Sequence, residues 1–279
     1  MPSLREEVSQ FLHRHGLRLN TDLGQHFLVD EDALEVIVES ADVRPGETVV
    51  EIGPGIGILT RELLRKEATV MAVELDQRLI PLLRQFLSEK QPSSPLPTGE
   101  GVGVGALTIV QANALHVSMP ESPYKIAANI PYHITSPLLR HVFLESAVKP
   151  SSMTILIQKE VAQTICNGGG ILTILVKLFG KPSYVADVPA EAFLPPPKVD
   201  SAVLHIDCFE KPLTDPATID RIFSLTKTAF GQKRKMLRNT LGQMPDGMEK
   251  LKGVGIDPER RPQTLSVEEW IKLAQQFKQ

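Results

Sequence analysis

A chain of 279 residues that is 42% hydrophobic and 23% charged can bury a sizeable core and has room for a large domain plus a smaller one. That composition excludes a wholly disordered chain, and a net charge of −3 excludes docking on nucleic acid by bulk attraction, because neutralising phosphates needs Lys and Arg. Cys166 and Cys208 are the only cysteines and have no partner motif, so neither a disulfide framework nor a metal site is expected.

In chain order, the opening MPSLREEVSQFLHRHG mixes acids, bases and histidines without the apolar run of a secretory signal. No later stretch has the length and apolarity of a membrane span, so a cytoplasmic protein is expected. Four short apolar runs follow, Thr48–Ile52, Thr69–Val73, Leu107–Gln111 and Tyr124–Ala128, alternating with helix-patterned segments in βαβ order. Residues 92–105, PSSPLPTGEGVGVG, have the Pro, Gly and Ser content of a surface insertion. Thr154–Ile157 reads as a fifth buried strand, with a helical pattern resuming over Gln158–Cys166. Ser183–Val188 and Ser201–Cys208 flank AFLPPPKVD with no helix between them, which predicts an antiparallel edge hairpin. KPLTDPAT after Glu210 has linker composition, and from Ile219 onward the pattern is helical. The last helix opens with a capping box, Ser266 with Glu269, and buries Trp270 and Leu273. The expected architecture is therefore α/β: a Rossmann-like sheet with an antiparallel edge hairpin over residues 1–210, and a small all-helical domain over 211–279.

The chemistry-bearing residues sit at strand ends. VVEIGPGIGILTREL places Glu51 at a strand end and then Gly53, Gly55 and Gly57 before a helix, so that backbone amides can approach a ligand closely. Glu74 ends the next strand about 20 residues on, the spacing at which an acid accepts from both hydroxyls of a ribose. The third glycine comes one residue too early for the usual dinucleotide turn, and Glu51 suits an ammonium-bearing ligand, S-adenosylmethionine (SAM), better than a pyrophosphate. After the fourth strand comes Asn129-Ile130-Pro131-Tyr132. The amine of adenine is a poor nucleophile because its lone pair is delocalised into the ring. The Asn129 side-chain oxygen and the Pro131 carbonyl supply two acceptors for its hydrogens, and Tyr132 supplies a face on which an unpaired base can stack. Taken alone, the four residues also fit a β-turn with an asparagine at its start. The basic stretch KTAFGQKRKMLR carries Lys227, Lys233, Arg234, Lys235 and Arg238 without an acid, and reads either as a solvated helix face or as a phosphate-binding strip.

These residues resemble the ribosomal RNA small-subunit adenine dimethyltransferases and their relatives, the erythromycin-resistance methylases and the mitochondrial transcription-factor homologues. The resemblance runs through GQHFLVD (24–30), EIGPGIGILT (51–60), VELD (73–76), NIPYHITSPLL (129–139), AFLPPPKVDSAV (192–203), FGQKRKMLRNTL (230–241) and RPQTLSVEEW (261–270). It implies SAM-dependent N6-dimethylation of two adjacent adenosines near the 3′ end of small-subunit rRNA within an assembling subunit, by a monomer. The resistance-type large-subunit methylase, and a non-enzymatic factor on the same fold, are the alternatives. The resemblance further implies that His26, Leu28, Gly53, Gly55, Glu74, Asn113 and Asn129 hold the cofactor, and that Tyr132 and Phe193 sandwich the target adenine. Asn113 stands where the family usually has an aspartate. Asn20, Thr21 and Asp22 stand where it commonly has basic residues, which leaves Arg14 and Arg18 to contact phosphates beside Lys233, Arg234, Lys235 and Arg238.

Overall fold

The computed structural model describes residues 2–17, 19–21, 24–90, 106–232 and 234–277. The strands are β1 (Phe27–Leu28), β2 (Thr48–Ile52), β3 (Thr69–Glu74), β4 (Leu107–Gln111), β5 (Lys125–Asn129), β6 (Ser152–Gln158), β7 (Gly180–Val188), β8 (Phe193–Leu194) and β9 (Ser201–Cys208). The α-helices are α1 (Leu4–Arg14), α2 (Glu31–Ser40), α3 (Ile58–Arg65), α4 (Leu79–Lys90), α5 (Thr135–Arg140), α6 (Lys159–Asn167), α7 (Ile171–Phe179), α8 (Pro216–Phe230), α9 (Gly247–Gly253) and α10 (Val267–Gln276). Among the described residues no single helix is long and apolar enough to cross a membrane. The 92–105 insertion and the positions of Arg18, Asp22 and Lys233 lie outside the described residues.

Seven strands form one sheet in the order β4-β3-β2-β5-β6-β9-β7. The five on the β4 side run parallel, and β9 lies antiparallel to β6 with Gln158 opposite Ser201. The continuous apolar runs of the sequence are those of strands covered on both faces; Val49, Val70, Ile126 and Ile155 are all almost fully buried. From β2 the chain winds outward through β3 to β4, then crosses back to β5 on the other side of β2. This reversal between β2 and β5 is the place where an open α/β sheet leaves a crevice beyond its strand ends. A second, two-stranded sheet pairs β1 with β8, with Phe27 opposite Leu194 and Leu28 opposite Phe193. It fastens the segment after α1 to the segment ahead of β9.

The chain divides into two compact units, Met1–Ala162 with Ser183–Cys208, and Gln163–Pro182 with Phe209–Gln279. The helical unit takes in residues 163–182 as well as those from 209 onward. Three glycines, Gly168 to Gly170, follow α6, and ILTILVKLF then forms α7 with six of its nine residues buried. A run of only nine residues, rich in β-branched Ile, Val and Thr, cannot be told from a buried strand by periodicity alone. The expectation of helix from Ile219 to the end needs correction too: after α8 the chain makes short turns at 237–239 and 241–243 before α9. Within this unit the α10 capping box forms as expected, and fully buried Trp270 stacks on Phe230 with ring centroids 6.1 Å apart.

Among the described residues of the helical unit, Gly169 makes the tightest backbone approach, since a Cβ there would lie 1.6 Å from the Gln263 carbonyl oxygen. Gly169→Ala should therefore destabilise the protein by about 1–3 kcal/mol, the usual cost of overpacking. Denaturant unfolding measures this, and an unchanged midpoint would show that the two segments separate without cost.

Candidate active site

The carboxyl ends of β2, β3, β4 and β5 open into one cavity of about 490 Å³, a size suited to a nucleoside-sized ligand. His26, Leu28, Gly53, Gly55, Glu74, Asn113, Asn129 and Pro131 all line it, as do Glu51, Gln25 and Phe27. Seven residues expected from sequence to hold a cofactor, spread from position 26 to position 129, thus share one hollow. Tyr132 and Phe193 are not among its lining residues.

The floor of the cavity is the turn after β2. Gly53, Gly55 and Gly57 all have positive φ, at 67°, 60° and 98°, conformations that side chains with a Cβ resist. Gly55 is also required by space: a Cβ would sit 2.6 Å from the Phe27 ring. The Phe27 ring therefore lies directly on the glycine turn. Gly24, at φ 73°, is packed as closely, since its Cβ would come within 2.9 Å of Pro131 Cβ. Residues 24–28 thus form an arm laid over both the glycine turn and the 129–132 turn. Its near end is anchored by α1, whose Leu4, Val8, Phe11 and Leu12 are buried and whose Glu7 pairs with buried Arg61 at 2.9 Å. Its far end is held by β8 and by a 2.8 Å bond between His26 Nδ1 and the Pro195 carbonyl.

Two buried carboxylates face the cavity. Glu51 is 2% exposed, and its Oε2 accepts from the Thr60 hydroxyl at 2.6 Å. Burial, with Glu74 nearby, pushes its carboxyl up to about 8. Glu74 Oε2 accepts from the Gly55 amide at 3.1 Å and Oε1 from the Asp76 amide at 2.8 Å. Burial raises its carboxyl above the usual range despite those donors. A carboxylate has about four acceptor sites in all, so these bonds still leave room for a ribose hydroxyl. Asp76 is held down at about 2 chiefly by the Arg78 guanidinium, and it also accepts from Gln25 Nε2 at 2.9 Å. Gln25 Oε1 in turn accepts from the Asn20 amide at 2.7 Å, so this side chain ties the arm to the end of β3. Asn113 Oδ1 accepts from the Leu115 amide at 3.0 Å, which occupies one lone pair of the oxygen that would otherwise be wholly open to a ligand. A cavity with two buried acids, a glycine turn of exposed amides and an apolar lid fits a cationic nucleoside such as SAM; an anionic pyrophosphate would meet Glu51 directly.

At the end of β5, Asn129 Nδ2 donates to the His26 carbonyl at 3.1 Å. That bond fixes which end of the amide is which, and leaves Oδ1 at the cavity wall without a hydrogen-bond donor among the described residues. Pro131, beside it, has no amide hydrogen to compete for acceptors. Tyr132 is half-buried and shares a 2.6 Å hydrogen bond with Ser201. Phe193, the other residue expected beside the base, is 1% exposed and packs in the core with Leu28, Leu156 and Val203. Its place in β8, opposite Leu28, turns it inward.

The basic residues are also redistributed. Arg14 is paired with Glu89 at 2.8 Å and Arg238 with Glu259 at 2.7 Å, so both are partly neutralised. Lys227 lies on α8, whereas Arg234 and Lys235 are exposed on the irregular segment after it. The strip is thus not one helix face, because α8 ends at Phe230 and the 236–238 segment bonds instead to Pro258 and Arg260. Gln25, Phe27, Thr60, Asp76 and Ser201 were not singled out from sequence. All five lie inside motifs noted above, but only the folded chain shows what they touch.

Parallel strands in this order, with the glycine turn, ribose-type acid and polar turn at their carboxyl ends, define a SAM-dependent methyltransferase. A family model described as ribosomal RNA adenine dimethylase matches residues 16–279. Ribosomal RNA small subunit methyltransferase A of Dehalococcoides mccartyi is 39% identical over 99% of this chain and 94% of its own length. The protein of the same description from Alkaliphilus oremlandii is 35% identical, covering 96% of this chain and 95% of that one. Among solved structures, a dimethyladenosine transferase from Plasmodium falciparum superposes with a TM-score of 0.72 at 26% identity, covering 89% of this chain and 96% of that one. The 23S rRNA methyltransferase ErmE superposes at 0.69 with 27% identity, covering 91% and 100%. The chain belongs to the ribosomal RNA adenine dimethylase family.

The state of Glu51 gives a pH dependence with a definite sign. Its carboxyl titrates near 8 in the folded protein against 4.5 ordinarily. Its contribution to stability is complete below the unfolded value and is lost as pH rises through the folded one. Glu51→Gln carries a neutral isostere, so without cofactor the melting temperature of the unsubstituted protein relative to this variant should fall between about pH 5 and about pH 8.5. A difference that stays flat across that range would show that Glu51 is ionised throughout.

Proposed function

We propose that this chain methylates the exocyclic amines of two adjacent adenosines near the 3′ end of small-subunit rRNA, acting as a monomer in the cytoplasm on an assembling subunit. The orientation of Asn129 carries this reading, since an amide whose nitrogen is already committed presents its oxygen to an amine donor. Two acceptors, Asn129 Oδ1 and the Pro131 carbonyl, would hold the two amine hydrogens out of the ring plane and localise the nitrogen lone pair towards the cavity. SAM, when bound, supplies a methyl group on a sulfonium. Glu74 holds the ribose, Glu51 faces the positively charged end, and His26 and Leu28 in the arm keep water from the reacting atoms. Tyr132 offers its ring to the base, which must leave any stack to reach the turn. Positioning and the aimed acceptors carry the reaction, so no strong general base is needed. The full-length similarity to small-subunit enzymes favours that substrate over the large-subunit one.

Asn129→Ala should keep SAM affinity within a few-fold and slow methyl transfer by ~100-fold or more, because the deleted acceptor acts on the transition state. Calorimetry and single-turnover assays on undermethylated small subunits separate the two effects. A variant with a normal rate would show that the amine is held elsewhere.

The helical unit is read as the RNA-docking part, with Arg234 and Lys235 among its exposed cations, joined by Lys233 and, ahead of the first strand in sequence, Arg18. An acidic protein depends on such local clusters. Reversing Arg234 and Lys235 to Glu should weaken binding to small subunits and reduce the salt slope of log affinity by roughly 0.7 to 0.9 for each phosphate no longer neutralised, with SAM affinity unchanged. Wild-type affinity and slope in this double variant would place the RNA-facing surface elsewhere.

A further inference from the structure

The hydrogen bond between Tyr132 and Ser201 spans 69 residues of sequence and has no part in the chemistry described above. Ser201 is fully buried at the first position of β9, held opposite Gln158 of β6, and the Asp200 carbonyl beside it accepts from the Lys159 amide at 3.0 Å. The serine is therefore a fixed point of the sheet. Tyr132 stands on a short turn, Tyr132–Ile134, directly after Pro131, with the Ile134 amide bonded to the Pro131 carbonyl. Its side chain is only half-buried, so packing alone leaves it room to swing about its Cα–Cβ bond. A 2.6 Å bond to an immobile hydroxyl fixes the far end of the ring and with it the ring's long axis. Phe193 is 1% exposed, so of the two aromatic rings Tyr132 is the more accessible, and its orientation bears directly on how a base can stack.

We propose that Ser201 is a positioning residue for methyl transfer, holding the Tyr132 ring in the orientation that receives the target adenine while touching neither base nor cofactor. This rests on the reading of Tyr132 as the stacking face. Single-turnover rates on undermethylated small subunits, together with SAM dissociation constants and melting temperatures, are measured for Ser201→Ala, Tyr132→Phe, the double variant and Tyr132→Ala. Tyr132→Phe removes the same bond from the exposed end and leaves the strand untouched, so the test survives if Ser201→Ala folds poorly. Each single variant should slow transfer by about 5- to 20-fold, the rate equivalent of one net hydrogen bond. SAM affinity should be unchanged, and the double variant should be no slower than Tyr132→Phe, because both substitutions delete one interaction. Rates that multiply in the double variant would overturn the inference. So would normal rates for Ser201→Ala and Tyr132→Phe beside a slow Tyr132→Ala. A normal rate for Tyr132→Ala would instead remove the stacking role, and this inference with it.

Discussion

The 3.1 Å hydrogen bond from Asn129 to the His26 carbonyl is the constraint on which the site depends. An asparagine amide is nearly symmetric in shape, and without a committed partner it would present donor and acceptor alternately to the cavity. The carbonyl that commits it belongs to the arm, so the polarity of the reacting wall is set by a segment distant in sequence. That segment can approach only because Gly55 and Gly24 have no Cβ to meet Phe27 and Pro131. The glycines thus do more than open amides to a ligand: they let a lid close and, through the lid, aim the acceptor.

The same closure shapes the electrostatics. Glu51 and Glu74 are buried behind the arm, and burial is the largest influence on both carboxyls, raising each. Two acids held this way favour a ligand that carries positive charge, since a cation relieves a desolvation that the fold alone leaves uncompensated. Asp76, two residues beyond Glu74 and paired with Arg78, is kept ionised and serves instead as the anchor for Gln25. Nearby carboxylates therefore take different roles according to whether a guanidinium stands beside them.

Much of this was legible in the sequence where local pattern and chemistry coincide. The parallel strands, the glycine turn, Glu74 and the 129–132 turn follow from apolar runs, positive-φ glycines and residue types at strand ends. What escaped depends on packing between distant segments. α7 is a short apolar run rich in Ile, Val and Thr, which reads equally as a buried strand until the fold is known. The β1–β8 pair has two residues per strand, too few to leave an alternation. The burial of Phe193 follows from its pairing opposite Leu28, which no local pattern in the sequence announces. Arg14 and Arg238 look like phosphate ligands in sequence, and only the fold brings Glu89 and Glu259 to them.

The central claim is that an aimed amide oxygen and a SAM cavity together serve adenine N6 in small-subunit rRNA. Nucleoside mass spectrometry of undermethylated small subunits incubated with the protein and isotopically labelled SAM tests it most directly. The account predicts labelled N6,N6-dimethyladenosine confined to two adjacent positions near the 3′ end of the small-subunit rRNA. Label found only in large-subunit rRNA, or on any atom other than the adenine amine, would contradict it.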